Sequence, residues 1–484
     1  MKRRFVVAGL LIFCVIASAQ TLEERYKAFQ QSAQKDYSDF RTEANKKYAE
    51  FLRSSWEYFK TAPAIPVPEE KPVPPVVYDD KQKKEQEQRK DQEIIPEIVP
   101  VPEPQPQPQP IVPIFDNQQE EQHQIINIKF YGTDLKFRYP KNTTLTISPV
   151  NGDGLANCWE QLSKDEFDLL VADCLAARDN HNLCDWAYLQ MLQMVAENVL
   201  GQTNEAVMLQ AYVYAISGYK MRIGVSKQKK IYLLVGSSSQ IYGQPYFTVD
   251  GEMFYPFNCK EDGLAICGAS FEDEKPLSLF ITKEQQLVPK SVQRTRNSKL
   301  GLNAQCVVNT NLIDFYNHYP TFQINDDFGT RWAAYANTPL DALTRNKLYP
   351  ILRERTKGLN ELQAVGQLLN WVQTAFVYEY DDKVWGQDRA FFAEESIYYP
   401  YCDCEDRSIL FSRIVRDVLH LDVVLLYYPG HLATAVHFTQ DVKGDYLIIN
   451  GKKYVVCDPT YINAPVGATM PNMNNQTAKV IVLK

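Results

Sequence analysis

Between Leu22 and Phe59 apolar residues recur in steps of four and three: Leu22, Tyr26, Phe29, Ala33, Tyr37, Phe40, Ala44, Tyr48, Phe51 and Phe59, with Ser55 in the remaining slot. The pattern repeats every eleven residues, three turns at about 3.67 residues each, and predicts one long amphipathic helix over 22–59. Such a stripe either docks on the rest of the chain or serves self-association or attachment to a surface.

From about Gln124 onward the pattern changes to short apolar runs and helical stretches, and it does so twice. In the later copy a helical stretch, 404–419, leads into apolar runs at 423–428 and 432–438. A hairpin follows: Tyr446-Leu447-Ile448-Ile449, the turn Asn450-Gly451, and the return Tyr454-Val455-Val456. In the earlier copy a helical stretch, 204–216, precedes 219–223 and 231–235, then Tyr246-Phe247-Thr248-Val249, Asp250-Gly251 and Met253-Phe254-Tyr255. The hairpins superpose with a shift of 200 residues and the helices with 202, which reads as an internal duplication. Residues 276–339 read as β-rich connecting structure.

Half of the 28 prolines lie between Thr61 and Pro113, including the alternating run Pro102 to Pro110. Fixed φ and missing donors disfavour both helix and sheet, so the segment is expected to be an extended spacer, with a short exposed helix in the charged stretch 81–93. The N-terminal helix would then stand at arm's length from a globular body.

Composition narrows the function. Hydrophobic residues are 45% and charged residues 23% of the 484, which is ordinary globular usage. The net charge of −8 and the lack of a basic stripe argue against nucleic acid as a partner. The long apolar run, Phe5 to Ala19, is too short to span a bilayer as a helix. Lys2, Arg3 and Arg4 before it and Ala17-Ser18-Ala19 at its end give it the form of a cleaved export signal, placing the chain in a periplasmic, secreted or cell-surface setting. Ten cysteines less Cys14 leave nine, so at least one thiol stays unpaired.

The candidate chemistry sits at Tyr401-Cys402-Asp403-Cys404-Glu405-Asp406, ahead of a helical run in which Asp403 can cap the first turn. Cys404 therefore falls at a helix N-terminus, where unpaired N–H groups favour thiolate, while the adjacent acids oppose it; a base is needed. Of six histidines, His431 opens an apolar strand after Pro429-Gly430. His437 shares its face but stands roughly 20 Å along at 3.3 Å per residue, too far to share one small site. Asp458 ends the hairpin's return strand before Pro459. Cysteine nucleophile, imidazole base and carboxylate orienter, in the order Cys404, His431, Asp458, have the logic of a thiol acyl-transfer triad. No group of residues has zinc-ligand spacing, and no phosphate loop or dinucleotide fingerprint is present, so neither metal nor cofactor is expected.

Cys404-Glu405-Asp406 on a helix start, Gly430-His431 opening a strand and Asp458-Pro459-Thr460 closing a hairpin resemble the transglutaminase-like superfamily over roughly residues 340–475. The resemblance implies an α+β, papain-like core with Cys404 as nucleophile, His431 as base and Asp458 as orienting acid. Where members commonly have glycine and tryptophan, this chain has Cys402 and Ala433. With that resemblance Cys402 and Cys457 become a candidate disulfide bracing the site, and Gln387 a candidate oxyanion donor beside the Cys404 N–H. Carried back by the same shifts, Cys404 falls on Gln202, Asp458 on Asn258 and His431 near Lys230 or Ile231, so the earlier copy would be a degenerate, inactive relative.

The expected organisation is therefore a signal peptide at 1–19, an amphipathic helix at 20–60, a Pro-rich linker at 61–120, a degenerate domain at 121–275, connecting structure at 276–339 and a catalytic domain at 340–484. The expected activity is hydrolysis or acyl transfer on a protein or peptide substrate through a thioester. The alternative is a non-enzymatic envelope or surface binding protein built from the same domains.

Overall fold

The computed structural model describes residues 42–108, 110 and 121–484. The expected signal and the first part of the expected helix, 22–41, lie outside these residues. The chain is mixed α+β, organised around two larger sheets. The upstream sheet has, in spatial order, the strands Trp56–Lys60, Gly263–Cys267, Met221–Val225, Ile231–Gly236, Glu252–Tyr255 and Phe247–Val249. The downstream sheet orders Glu97–Val99, Lys479–Val482, Val423–Tyr428, His431–His437, Lys452–Cys457, Tyr446–Ile449 and Glu93–Ile94.

Six strands of the two sheets correspond one to one in that order, and five of them match in register. Val249 faces Glu252 as Ile449 faces Lys452, a shift of 200 on both strands. Phe254 faces Gly236 as Tyr454 faces His437, and Val225 faces Ile231 as Tyr427 faces Leu432. Both hairpin turns need two residues at positive φ, and Asp250-Gly251 (52° and 81°) and Asn450-Gly451 (49° and 77°) supply them. Each sheet packs against the helix that precedes it in sequence, Asn204–Ile216 or Cys404–Leu419.

The Pro-rich segment departs from the expectation of a free spacer. It is a strap bound along both domains. Trp56–Lys60 forms an edge strand on Gly263–Cys267, so the helix expected to reach residue 59 ends at 54. Beyond it, Val73 N–H donates to the Gly430 carbonyl (2.8 Å), and Val77 bridges to Ile462. Glu93–Ile94 then pairs with Tyr446–Leu447 at one edge of the downstream sheet, while Glu97–Val99 pairs with Lys479–Ile481 at the other. Three residues reach at most about 11 Å, so the five intervening strands must curl until the two edges nearly meet. Ile94, Leu426, Ala433, Ala435 and Val480 fill the inside of that curl. Leu425, Leu432, Val436 and Val455 face outward onto Ile409, Leu410 and Val415 of the helix. Prolines fit such edges because an edge strand leaves half of its N–H groups unpaired. Burying Ile94 and Val99 contributes about 1.5–3 kcal/mol each, which helps hold the strap down.

The described part of the N-terminal helix, 42–54, docks on its own chain. Asn45, Tyr48, Ala49 and Leu52 are buried, Trp159 Nε1–H donates to Asn45 Oδ1 (2.9 Å), and Phe51, expected on the apolar stripe, is exposed. The connecting region holds one hairpin, Ser291–Asn297 with Asn303–Asn309, and then the helices Thr310–Tyr316 and Thr330–Asn337. Arg294 and Arg296 of that hairpin bond the carbonyls of Ile397, Tyr398 and Tyr399, fixing the chain just ahead of Cys404. Among the described residues no helix is long and apolar enough to cross a membrane.

Candidate functional site

Cys404 is the first residue of the helix Cys404–Leu419. Asp403 caps it, accepting from the N–H groups of Glu405 (3.1 Å) and Asp406 (3.4 Å), and the Asp406 carboxylate returns a bond to Asp403 N–H (3.2 Å). This reciprocal capping box fixes where the helix starts and so where the thiol sits. The second turn is pinned to the sheet by Ser408 Oγ, which donates to the Leu432 carbonyl (2.8 Å).

His431 opens the strand directly after Gly430, whose φ of +75° turns the chain into the strand. A Cβ at Gly430 would stand 2.3 Å from the Lys71 carbonyl of the strap, so only glycine fits there. His431 Nε2 lies 2.8 Å from Asp458 Oδ2. Asp458 Oδ1 accepts from the N–H groups of Thr460 (2.8 Å) and Tyr461 (3.1 Å), which locks the carboxylate's rotation. From below, Gln373 donates to the carbonyls of Asp458, Tyr461 and Ala464, clamping the loop after the strand. A carboxylate only accepts, so the imidazole proton is on Nε2 and a lone pair is on Nδ1. That Nδ1 is buried and has no hydrogen-bond partner.

The structure thus brings His431 and Asp458 together and sets the helix that Cys404 opens against the same strand. Thiol and imidazole are not hydrogen-bonded, and Cys404 is only 4% exposed. Burial pushes the Cys404 thiol well above its ordinary pKa, with Asp403 and Glu405 adding to the rise and the Leu432 N–H opposing it. Around it lies an acidic group in which burial raises each carboxyl: Asp403, Glu405 and Asp406 well up, and Asp381 to about 8. Asp381, Asp388 and Glu405 offer oxygens within 4.8 Å of one another. The Arg331 guanidinium stands where a cation would, 2.6 Å from Asp388 and 3.2 Å from Glu405.

The other residues singled out from the sequence differ in their surroundings. Gln387 is exposed in the turn that delivers Asp388. His437 bonds the Lys453 carbonyl (2.9 Å) and packs on Tyr454, at the far end of the strand. Cys402 and Cys457 are not bonded; all nine described cysteines are free and buried. Both lie in the core, Cys457 at the end of its strand and Cys402 with its thiol directed at the Val377 carbonyl.

One residue was not visible in the pattern. Tyr378 pairs with Cys402 in a short parallel bridge, its ring lies under the Arg407 guanidinium (5.4 Å), and its buried hydroxyl has no partner. Burial lifts the Tyr378 hydroxyl far above its ordinary pKa, and Cys404 is the next largest cause. A tyrosine 26 residues upstream of a cysteine carries no local signal; only the bridge brings them together.

In the upstream domain the helix caps align at a shift of 200, Thr203 with Asp403, which puts Asn204 rather than Gln202 in the place of Cys404. Asn204 Oδ1 accepts from Ile231 N–H (2.9 Å), the counterpart of the Leu432 N–H, and its amide donates to the Lys229 carbonyl. The strand register puts Lys230 opposite His431. Neither nucleophile nor imidazole is present there. No family model matches the chain, and neither the curated proteins nor the solved structures contain a match.

Proposed function

We propose that the downstream domain is a thiol acyltransferase or hydrolase of the transglutaminase-like type, acting on amide bonds of peptides or proteins outside the cell. The carrying observation is the orphaned Nδ1 of an imidazole whose other nitrogen is fixed to a locked carboxylate. A buried polar atom left without a partner costs about 1–3 kcal/mol and calls for a use. The Cys404 thiol, on the helix packed against the same strand, would supply one. In this reading Nδ1 takes the Cys404 proton, and the sulfur attacks a carboxamide or peptide carbonyl carbon. The resulting oxyanion is met by the Cys404 N–H at the helix start and the Tyr378 hydroxyl. The imidazolium then protonates the departing amine, leaving a thioester on Cys404. Water deprotonated by Nδ1 releases the acid; an amine in its place forms a new amide.

Burial of Cys404 and its raised pKa favour a second reading, a non-enzymatic binding protein that keeps the frame of an enzyme. Incubation of the chain with a peptide library and a primary amine separates the two. Cleavage, deamidation or amine incorporation, detected by mass and lost in Cys404→Ala, is the expected result. Products that persist in Cys404→Ala, or no product at all, would refute the enzymatic reading.

A further inference from the structure

The upstream domain keeps a cleft where the downstream domain has its cysteine, histidine and aspartate. Its walls come from the corresponding element ends: Thr203 and Asn204 at the helix start, Lys230 and Ile231 at the strand start, and Asn258 after the hairpin. The cavity measures about 910 Å³, within the range of sites that take small molecules or short polymer segments. In the downstream domain this region is closed over the thiol; upstream it is open, with amides, Asn204 and Asn258, in the places of Cys404 and Asp458 and Lys230 in the place of His431. Gln190, Gln193, Gln202, Gln244 and Asn258 line it with Asn204.

We propose that this cleft is a recognition site for an extended, largely uncharged stretch of polypeptide. The lining chemistry selects that class. A carboxamide can offer both donor and acceptor, the complement of successive backbone amides; Asn204 is held by Ile231 and Lys229, Gln190 accepts from Tyr131 and Gln193 donates to Glu197, so Gln202, Gln244 and Asn258 are the ones that offer both ends. Charge is sparse and mixed, Lys230 against Glu197, so a polyanion would find little to neutralise it. Saccharides are commonly held by a bare aromatic face. Here Trp186 is buried, its indole N–H bonds the His318 carbonyl (3.0 Å), and its ring meets Phe257 edge-on at 4.9 Å. The inference shares one premise with the proposed activity, that both domains meet the same polymer, and it has its own readout.

The test uses the full chain carrying Cys404→Ala, so that bound polymer is not consumed, and fluorescein-labelled, reduced and carboxymethylated α-lactalbumin as the probe. Fluorescence polarisation should report saturable binding that weakens at least tenfold in Gln202→Trp, which fills the mouth, and in Gln193→Ala. Met194→Lys, on the exposed side of the same helix, should leave binding unchanged, and melting temperatures separate lost binding from lost fold. Unchanged affinity in both cleft variants, absence of binding, or displacement of the probe by maltoheptaose would overturn the proposal. A wild-type chain without amide turnover would sink the enzymatic reading and leave this measurement intact, so the two fail separately.

Discussion

Replacing Asp458 by asparagine tests the proton arrangement on which the proposed activity rests. The side chains are isosteric, but the surroundings dictate how an asparagine would sit. Oδ1 receives two backbone N–H groups, from Thr460 and Tyr461. Turning the amide NH₂ toward them would strand two buried donors, at about 1–3 kcal/mol each. The amide therefore keeps its oxygen there and points NH₂ at His431 Nε2. That nitrogen must then accept, and the ring proton moves to Nδ1, the atom that should take the thiol proton. The base-competent tautomer lies about 2–6 kcal/mol above the other, so reactivity falls about 30-fold at the lower end, with a further factor of ten for each 1.4 kcal/mol. The assay is iodoacetamide labelling at pH 6 and pH 7, with Cys404 measured against the other cysteines by peptide mass. Burial and two adjacent acids alone would make Cys404 among the least reactive, so fast labelling in the wild type requires the imidazole. His431→Ala should match Asp458→Asn, and His437→Ala should match the wild type. Labelling of Asp458→Asn within twofold of the wild type, at unchanged melting temperature, would falsify the reasoning.

Two further outcomes are expected. Tyr378→Phe should slow acylation of Cys404 by a p-nitrophenyl ester about 10–100-fold while leaving alkylation by iodoacetamide unchanged, since only acylation builds an oxyanion; equal effects on both would remove Tyr378 from that role. The chain should also be more stable near pH 5.5 than near pH 8.5. Burial lifts Glu394 and Asp381 to about 8 and Glu395 to about 7 in the folded chain, so the fold holds protons that the unfolded chain releases near pH 4–5, and stability drains as pH rises through the folded values. Thermal melts across that range should slope downward, less steeply in Glu394→Gln; a flat or rising curve would contradict the assignment.

How much of this was legible beforehand depends on how local each cause is. The turns Asn450-Gly451 and Asp250-Gly251 announce themselves because φ > 0 twice in succession excludes most residues, and the structure has both hairpins where the pattern places them. The start of the cysteine helix was equally local, set by Asp403 and Asp406 within four residues. The rise of about 3.3 Å per strand residue likewise separated His431 from His437, although the two share a face. The strap was illegible for the opposite reason. Its strands are two and three residues long, below any periodicity, and their partners lie more than 350 residues away. Proline content argues against a sheet interior and is silent about an edge. The helix end at 54 was missed because Trp56–Lys60 is claimed by Gly263–Cys267, a tertiary partner that overrides an apolar stripe. Tyr378 and the mismatch between Gln202 and Asn204 needed the cap and bridge geometry itself.

The duplication shows why frame and chemistry can part. Paired registers, turn glycines and the packing of one helix on one sheet recur in both domains, and each involves many residues at once. The three side chains of the proposed reaction each stand at the end of an element: the first residue of a helix, the first of a strand, the first after a strand. All three are buried, but an end position can change its side chain while the helix or ladder beyond it stays intact. In the upstream domain Asn204 stands in the place of Cys404 and ties the helix start to the strand, accepting from Ile231 N–H. In the downstream domain that tie is made one turn later, by Ser408 Oγ to the Leu432 carbonyl, which leaves the thiol free of it. The downstream domain adds three things that folding does not require: a thiol, an imidazole with a vacant Nδ1, and a carboxylate locked by two N–H groups. A vacant buried nitrogen costs stability, and Lys230 in the upstream counterpart avoids that cost by being a cation at the cleft wall. Retaining the cost in one domain alone is the feature by which the proposed reactive centre differs from its upstream counterpart.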